Sequence, residues 1–199
     1  HTGEGQWVHT SLLEGMLNKL DFQGARYTVD GVVPGREGNA HPTQVPMGTY
    51  QARDGLVNIA ASTAKNWASL CKVLQADELL AHPDYPDVKS RVAHRRQLEV
   101  DMNALTSHFT VAELVARLNP VGVPCGPVYT IGQAFEDPQV KHRGVVTSYK
   151  HARAGDVKVI GPVVEMSATP PTIDRPAPIV GEHTDEVLAE FGVSADDIA

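Results

Sequence analysis

Residues 49–60 read Thr-Tyr-Gln-Ala-Arg-Asp-Gly-Leu-Val-Asn-Ile-Ala, and this stretch decides how the middle of the chain folds. Two short runs that suit an extended backbone, 49–51 and 56–60, flank a segment that contains Asp54-Gly55. An Asp-Gly dipeptide between two such runs is typical of a β-hairpin, because these residues adopt the backbone angles of a tight turn. The stretch therefore predicts two antiparallel strands.

A long irregular segment, residues 31–46, precedes the predicted hairpin. It has no hydrophobic period and contains three glycines and three prolines, which predicts a loop. Loops longer than about 12 to 15 residues are usually linkers or binding loops in compact domains. Glycines in 35–42 would let backbone amides approach an anionic or carbonyl group, while Asn39 and His41 offer hydrogen bonds. A plain linker between domains is an equally good interpretation.

Helices are predicted on both sides of this central region. Apolar residues at helical spacing, with Ser11 or Thr10 as a possible N-cap and Glu14 three or four residues on, predict a helix over 11–26 with one buried face. Thr110 and Glu113 form a capping-box pattern ahead of another helix. The remaining predicted elements are helices at 63–74, 88–105, 137–142 and 182–191, the last with Val187, Leu188 and Phe191 inward, strands at 128–131 and 145–149, and an extended linker at 167–178.

The composition excludes two classes of function. Of the 199 residues 42% are hydrophobic, but no apolar run approaches the roughly 20 residues that span a bilayer, so no membrane partner is expected. With 17 basic against 24 acidic residues the formal net charge is −7, and the basic residues are scattered, so no nucleic-acid partner is expected. Two cysteines without metal or redox spacing favour a cytoplasmic location.

Isolated reactive residues do not by themselves indicate an active site here. None of the nine histidines has the i, i+4 spacing of a helical zinc site, so no metal is expected. Cys125 lies in a tight Pro-Gly turn, where a small packed side chain is commoner than a nucleophile. The charges on the helix predicted at 88–105 are interpreted as a solvated face with i, i+4 ion pairs; they belong to Arg91, His94, Arg95, Arg96, Glu99 and Asp101.

Six short motifs occur in the order seen in class III CoA-transferases, and together they span nearly the whole chain. The chain resembles the C-terminal half of that family, which includes formyl-CoA transferase and 2-methylacyl-CoA racemase. Each motif alone is weak, but their common order is specific for the family, though not for a substrate. The motifs are Thr2-Gly-Glu-Gly-Gln6, Gly38-Asn-Ala-His-Pro42, Asp54-Gly-Leu-Val-Asn-Ile-Ala60 with Trp67 beyond it, Gly122-Val-Pro-Cys-Gly-Pro-Val128, Asp137-Pro-Gln139 and Gly181-Glu-His-Thr-Asp-Glu-Val-Leu188.

The resemblance implies an α/β fold in which a small mixed α+β domain is joined to pieces of a large Rossmann-like domain. Two subunits of the full-length family interlock like chain links, so the implied protein partners are a second subunit, giving a homodimer, and the N-terminal half. The implied segments are a large-domain piece at 1–28, a linker at 29–44, the small domain at 45–145, a return linker at 146–178 and a large-domain helix at 179–199.

The family's chemistry begins when an aspartate attacks the acyl-CoA thioester. The resemblance implies a mixed anhydride and then an aspartyl-CoA thioester, from which CoA passes to an acceptor carboxylate; covalent catalysis divides one difficult step into easier ones. A coenzyme A thioester and a carboxylic acid are therefore the substrates, and no covalently bound cofactor is implied. In the family this aspartate lies upstream of the first motif. No catalytic residue is assigned in this chain, and the 199 residues alone are expected to be inactive.

A glycine-containing loop of these transferases closes over the active site and shields the anhydride from water. Gly38, Asn39 and Ala40 occupy the matching position and, with His41, are the substrate-binding residues that the resemblance implies. The longer glycine run of formyl-CoA transferase is replaced by Ala-His-Pro-Thr-Gln at 40–44, which argues against formate or oxalate as substrate.

Two alternatives to CoA transfer stay open. A 2-methylacyl-CoA racemase, which performs acid/base chemistry at the α-carbon, would carry a glutamate after the strand at 56–60, but residues 61–65 contain no acid. A non-catalytic binding module on the same fold would show no CoA exchange even with the upstream aspartate present. CoA transfer is the favoured function.

Overall fold

A computed structural model describes residues 3–198 of the chain. His1, Thr2 and Ala199 lie outside the described residues. Thr2 is the first residue of the first motif. His1 and Thr2 belong to the predicted large-domain piece at 1–28, and Ala199 ends the predicted large-domain helix at 179–199. Helices and two small sheets alternate along the described chain, which confirms the predicted mixture of α and β structure. Among these residues no helix has the length and apolar composition needed to cross a bilayer.

The chain divides into two compact units between Val128 and Tyr129. The predicted segments, such as the small domain at 45–145, assign parts of this chain to the two domains of the full-length family fold. These assignments stay predictions. The elements of the first unit are the helices α1 (Leu12–Asn18), α2 (Asp21–Thr28), α3 (Ala64–Val73), α4 (Asp77–Leu80), α5 (Val88–Ala93), α6 (Arg95–Thr106) and α7 (Val111–Leu118), a 3-10 turn (Asn119–Val121), and the strands β1 (Met47–Ala52), β2 (Gly55–Ala60) and β3 (Cys125–Pro127).

The strands of the first unit form an antiparallel sheet in the order β1–β2–β3. Met47–Ala52 pairs along its whole length with Gly55–Ala60, which confirms the predicted hairpin. The turn consists of Arg53 and Asp54, one position earlier than the dipeptide suggested, because the glycine already belongs to β2. The Asp54 carboxylate instead accepts a hydrogen bond of 2.7 Å from the backbone N–H of Val111, at the start of α7.

Helices pack on this sheet and enclose a hydrophobic core. Helix α6 contacts β1, α7 contacts β2 and β3, and α3 contacts α7. Fully burying a large apolar side chain contributes about 1.5–3 kcal/mol, so this cluster is the main source of stability in the first unit. The buried apolar residues are Val45, Tyr50, Ala52, Val57, Ile59, Ala61, Trp67, Leu70, Cys71, Leu74, Ala76, Leu79, Tyr85, Leu98, Met102, Leu114, Leu118 and Val123.

Arg91 is buried in this core, so the predicted solvated face is wrong for this residue. Only 1% of Arg91 is exposed, and its guanidinium donates to the backbone oxygens of Val45 (2.8 Å), Ser62 (2.7 Å) and Tyr85 (3.2 Å). The same group lies 5.1 Å from the centre of the Trp67 ring. Burial lowers the pKa of Arg91 from its usual value, and the three carbonyls replace the water that the cation has lost.

His94 interrupts the helix predicted over 88–105, so that α5 and α6 are separate helices. With φ −104° and ψ 20°, its backbone leaves helical geometry. Beyond the break, Arg96 and Glu99 are exposed as predicted, whereas Arg95 is half-buried. The interruption was not visible in the sequence because no proline or glycine marks it.

The N-terminal helices α1 and α2 lie outside the core. Of the two candidate N-caps, it is Ser11 that forms a capping box with Glu14 at the start of α1. The helix predicted over 11–26 is broken, however, and Asp21 has a left-handed φ of 49°. Within the described residues neither helix buries a side chain, so the predicted buried face is also wrong for this chain. The exposed apolar residues of these helices and of the segment before them include Trp7, Val8, Leu12, Leu13, Met16 and Leu17.

The second unit begins with a helix where a strand was predicted at 128–131. Thr130 is the N-cap of this helix, and its hydroxyl accepts a hydrogen bond from the backbone N–H of Gln133. The extended residues lie slightly earlier, in β3, because they pair there with β2. The elements of this unit are α8 (Ile131–Glu136), α9 (Pro138–His142), β4 (Val146–His151), β5 (Gly155–Ile160), α10 (Thr184–Glu190) and α11 (Ala195–Ile198).

Strands β4 and β5 form a second antiparallel hairpin. The strand predicted at 145–149 is confirmed, but the hairpin lies inside the segment predicted as a return linker, 146–178, so only the part after β5 lacks regular structure. The extended linker at 167–178 contains no helix or strand, as predicted. Helix α10 is present, but its side chains predicted to face inward are exposed; they are Val187, Leu188 and Phe191.

Candidate functional site

The predicted binding loop is tied to the first strand of the sheet. Ala40 forms an isolated antiparallel bridge with Gly48, and the backbone N–H of His41 donates to the oxygen of Met47 at 2.8 Å. Gly38 has a left-handed φ of 61°, which a residue with a side chain adopts only with strain. The loop thus runs alongside β1 instead of extending freely into solvent.

Gly48 allows this close approach of two backbone segments. A Cβ at this position would lie 2.9 Å from the backbone oxygen of Asn39 and 3.2 Å from the Cα of Ala40. Contacts under 3.0 Å from a Cβ to backbone require a shift of the neighbour, so only glycine fits here without moving the loop.

The far end of the loop is fixed by the core. Val45 and Pro46 are joined by a cis peptide bond. The oxygen of Val45 accepts a hydrogen bond from Arg91 at 2.8 Å, and that of Pro46 accepts one from the N–H of Ala61 at 2.8 Å. The loop is therefore anchored at two points that follow Asn39: Ala40 and His41 bond to β1, and Val45 is held by the buried guanidinium.

His41 is oriented by its own loop. Its Nδ1 accepts hydrogen bonds from the backbone N–H groups of Thr43 (3.2 Å) and Gln44 (3.1 Å). Because Nδ1 is an acceptor, a single ring proton is at Nε2. The ring stacks on Phe22, with 5.1 Å between centroids and an interplanar angle of 11°. His41 can therefore offer Nε2–H as a donor to a ligand.

The four predicted binding residues line one pocket. This His41 pocket has a volume of about 510 Å³ and also includes Phe22, Gln23, Met47 and Asn58 on its wall. The structure thus brings Gly38, Asn39, Ala40 and His41 together around a common space, although their role in binding stays a prediction.

A second pocket, of about 470 Å³, shares part of the loop with the first; we call it the arginine pocket. Gly38, Asn39 and Ala40 line both. The other walls are β1 and α6, and the charged residues that line the pocket are Arg36 and Glu37 from the loop and Arg95, Arg96 and Glu99 from α6. Arg95 and Glu37 form an ion pair at 2.5 Å that lacks a well-directed hydrogen bond.

Neither cysteine is suited to nucleophilic attack. Burial raises the pKa of Cys125 to about 11, and burial is also the largest cause that raises the pKa of Cys71 to about 12. Both thiols are therefore protonated near neutral pH, which agrees with the packing role predicted for Cys125. Across residues 3–198, no group of three or more His, Cys, Asp or Glu side chains is placed to hold a metal ion.

Sequence reasoning missed the residues that complete the arginine pocket. Tyr50 and Asn103 both line it, together with Arg95 and Arg96 from the helix that was interpreted as a solvated face. A backbone hydrogen bond from Gln51 to Asn103 Oδ1, 2.7 Å long, joins residues 52 positions apart. No local sequence signal marks such a contact.

The chain is similar to known CoA-transferases. A family model described as CoA-transferase family III matches residues 1–184. The succinyl-CoA:mesaconate CoA-transferase of Haloarcula hispanica is 34% identical over 193 residues, which are 96% of this chain and 48% of that protein. The human succinyl-CoA:glutarate CoA-transferase is 29% identical over 95% of this chain and 43% of its own length.

The fold is similar to that of a solved family member. A CAIB/BAIF family protein from Brucella suis superposes with a TM-score of 0.79 at 30% identity, over 95% of this chain and 49% of that one. The chain therefore spans about half the length of the curated relatives and of the solved structure that it matches.

Proposed function

The chain belongs to CoA-transferase family III, and we propose that it forms part of an enzyme that transfers CoA between an acyl-CoA thioester and a small carboxylic acid. The observation that carries this proposal is the anchored loop, in which Gly38 to His41 line one pocket and the backbone packs tightly on Gly48. Such a loop can exclude water from a reactive acyl intermediate while keeping backbone amides close to it.

We further propose succinyl-CoA as the CoA donor and a dicarboxylic acid as the acceptor. The names of similar enzymes support this choice, because those reported above act on succinyl-CoA with mesaconate or glutarate, both dicarboxylic acids. The absence of a longer glycine run at 40–44 also supports this choice, because it argues against formyl-CoA and oxalate as substrates.

The proposed reaction proceeds by acyl transfer through an aspartate of the complete enzyme. Its carboxylate attacks the thioester carbonyl, the CoA thiolate leaves, and a mixed anhydride forms. The thiolate then attacks the aspartyl carbonyl, which releases the donor acid as a carboxylate and leaves an aspartyl-CoA thioester. The acceptor carboxylate then attacks the aspartyl-CoA carbonyl and displaces the CoA thiolate, which gives a second mixed anhydride. The thiolate attacks the acceptor's carbonyl in this anhydride, so that the new acyl-CoA leaves and the aspartate is regenerated.

No residue of this chain is matched to that aspartate, so we expect no turnover from the 199 residues alone. The part that we assign to them is to hold substrate and to exclude water, with Gly38, Asn39, Ala40 and His41 as the binding residues. We also propose that the complete enzyme is a homodimer, as the resemblance implies, and that it is cytoplasmic, as the cysteine usage favours.

The test is an assay of a longer polypeptide that contains this chain and the upstream aspartate. Incubation with succinyl-CoA and glutarate is expected to give glutaryl-CoA and succinate. Hydroxylamine added during turnover is expected to trap the enzyme acyl group as a hydroxamate at one aspartate, read by mass spectrometry. The 199-residue chain, assayed beside it, is the control and should give neither product nor adduct.

Three outcomes separate this proposal from its alternatives. Exchange of the α-proton of a 2-methylacyl-CoA in D₂O, without CoA transfer, would indicate a racemase. Neither reaction, in a folded protein that binds CoA, would indicate a binding module. CoA transfer by the 199 residues alone would overturn the assignment of the nucleophile to another segment.

A further inference from the structure

The arginine pocket contains hydrogen-bond donors that the described chain leaves without partners. Tyr50 is 6% exposed and lines the pocket, yet its hydroxyl makes no hydrogen bond to any residue in 3–198. The oxygen itself is open to the pocket, because among the described residues the buried polar side-chain atoms without a partner belong to Glu37 and Trp67. A phenol that is buried along its ring and unpartnered at its oxygen is suited to donate to a ligand.

Asn103 adds a second free donor on the same wall. Its Oδ1 accepts the backbone N–H of Gln51 at 2.7 Å, which fixes the orientation of the amide. This leaves the Nδ2 hydrogens directed away from that bond, and no described residue accepts them. The wall formed by β1 and α6 therefore offers one donor from the buried Tyr50 and one from the half-buried Asn103.

The charges around these donors favour an anion. Arg95 is already paired with Glu37, whereas Arg36 and Arg96 form no ion pair with any described residue. Glu99 is the opposing charge; burial raises the pKa of Tyr50, and the nearby Glu99 raises it further. Three arginines thus face two glutamates, and α6 begins here with no acidic residue in its first turn.

From this surplus of cations and free donors we propose that the arginine pocket binds a small oxyanion, a carboxylate or phosphate group, held by Arg36, Arg96, Tyr50 and Asn103. Guanidinium groups and hydroxyl donors form short, charge-assisted hydrogen bonds with such oxygens. Because the pocket shares Gly38, Asn39 and Ala40 with the His41 pocket, an anion bound here would lie against the same loop.

The test is direct binding to the 199-residue chain, so its outcome does not depend on CoA transfer. Glutarate and succinate are the carboxylate probes, inorganic phosphate and adenosine 3′,5′-bisphosphate are the phosphate probes, and glutaramide is the uncharged control. Amide chemical shifts from NMR titration are expected to move at Gly38, Gly48 and the Asn103 side chain with an oxyanion, and not with glutaramide.

Matched variants assign the binding to these residues. Arg96→Gln is expected to weaken the affinity about tenfold and Tyr50→Phe about fivefold, because each removes a hydrogen bond to a charged group. Arg153→Gln removes an exposed guanidinium from the other unit and should leave the affinity unchanged. The variant Arg36→Gln is expected to act like Arg96→Gln.

Each result bears on the proposal. Binding of carboxylates alone or of phosphates alone supports an oxyanion site and identifies which group it takes. No shift at these residues with any of the four anions would overturn the proposal, and so would equal affinities for Arg96→Gln, Tyr50→Phe and Arg153→Gln.

Discussion

A Cβ on Gly48 would lie 2.9 Å from the backbone oxygen of Asn39. The backbone at the start of β1 therefore lies very close to the centre of the loop that we assign to substrate binding. It makes the position of the loop depend on a residue that cannot itself touch a ligand with a side chain.

Gly48→Ala is expected to displace the loop and to lower the free energy of unfolding by about 1–3 kcal/mol, the usual cost of overpacking. In the complete enzyme the same change should raise hydrolysis of succinyl-CoA relative to transfer, because the loop no longer excludes water. Urea denaturation measures the first effect and product analysis the second. Gly126→Ala, in β3 with open space around the glycine, is the control; an equal loss there would contradict the prediction.

Gly38→Val tests the left-handed conformation of the loop. A β-branched residue at φ 61° is strained by about 1–3 kcal/mol, so the loop should change its conformation. The neighbouring Gly35 has no left-handed φ and open space around it, so Gly35→Val is the matched control. Chemical shifts of residues 37–41 are expected to change in the first variant only; equal changes in both would show that φ at Gly38 is not the cause.

Arg91→Met removes a buried cation together with its three hydrogen bonds to backbone oxygens. The oxygens of Val45 and Ser62 then lose a donor inside the core, and we expect a loss of about 3 kcal/mol in the free energy of unfolding. Arg153→Met, at an exposed position, should change it by no more than about 0.5 kcal/mol. Denaturation of the two variants at one pH measures the difference, and similar midpoints would refute the structural role of Arg91.

Asp87 links the stability of helix α5 to pH. Its carboxylate accepts the backbone N–H of Ser90 at 2.8 Å, and hydrogen bonds to Ser90 hold the pKa of Asp87 below its usual value of 3.8. A folded-state pKa below that of the unfolded chain means that the stabilisation is present above the unfolded value and is lost as the pH falls through the folded one.

Asp87→Asn keeps an acceptor at the N-cap but removes the titration. The free energy of unfolding in urea, measured from about pH 6 to about pH 3, should therefore fall less steeply with decreasing pH for this variant than for the native chain. Identical slopes would mean that the cap does not carry the pH dependence.

The two thiols should be unreactive towards iodoacetamide near neutral pH. With the pKa of Cys125 at about 11, its thiolate fraction near pH 8 is only about one in a thousand. Mass spectrometry of the native chain should detect no rapid alkylation, whereas chain unfolded in urea should be alkylated twice. Fast labelling of native Cys125 would contradict the environment that the structure gives it.

Local patterns predicted much of the fold because their cause is local. The hairpin follows from extended residues around a turn, and the capping boxes at Ser11 and Thr110 follow from side chains that bond to the backbone three residues away. The same logic explains one error. Thr130 caps a helix through Gln133, but β-branched neighbours at 128–131 suggested a strand.

Long-range contacts could not be predicted in this way. The burial of Arg91 depends on carbonyls contributed by residues 45, 62 and 85, and the arginine pocket depends on α6 lying against β1. The loop residues Gly38 to His41 were found from a family motif, whereas Tyr50 and Asn103 carried no motif and emerged only from the geometry.

The single guanidinium of Arg91 has a consequence for how the loop opens. It joins the end of the loop, the segment after β2 and the turn before α5, so these three parts lose their hydrogen bonds together. Amide hydrogen exchange near Val45 and Ala61 should therefore require the free energy that opens the whole core, and not the smaller free energy that frays a surface segment. We therefore expect any motion that admits substrate to leave Val45 in place and to break only the contacts of Ala40 and His41 with β1.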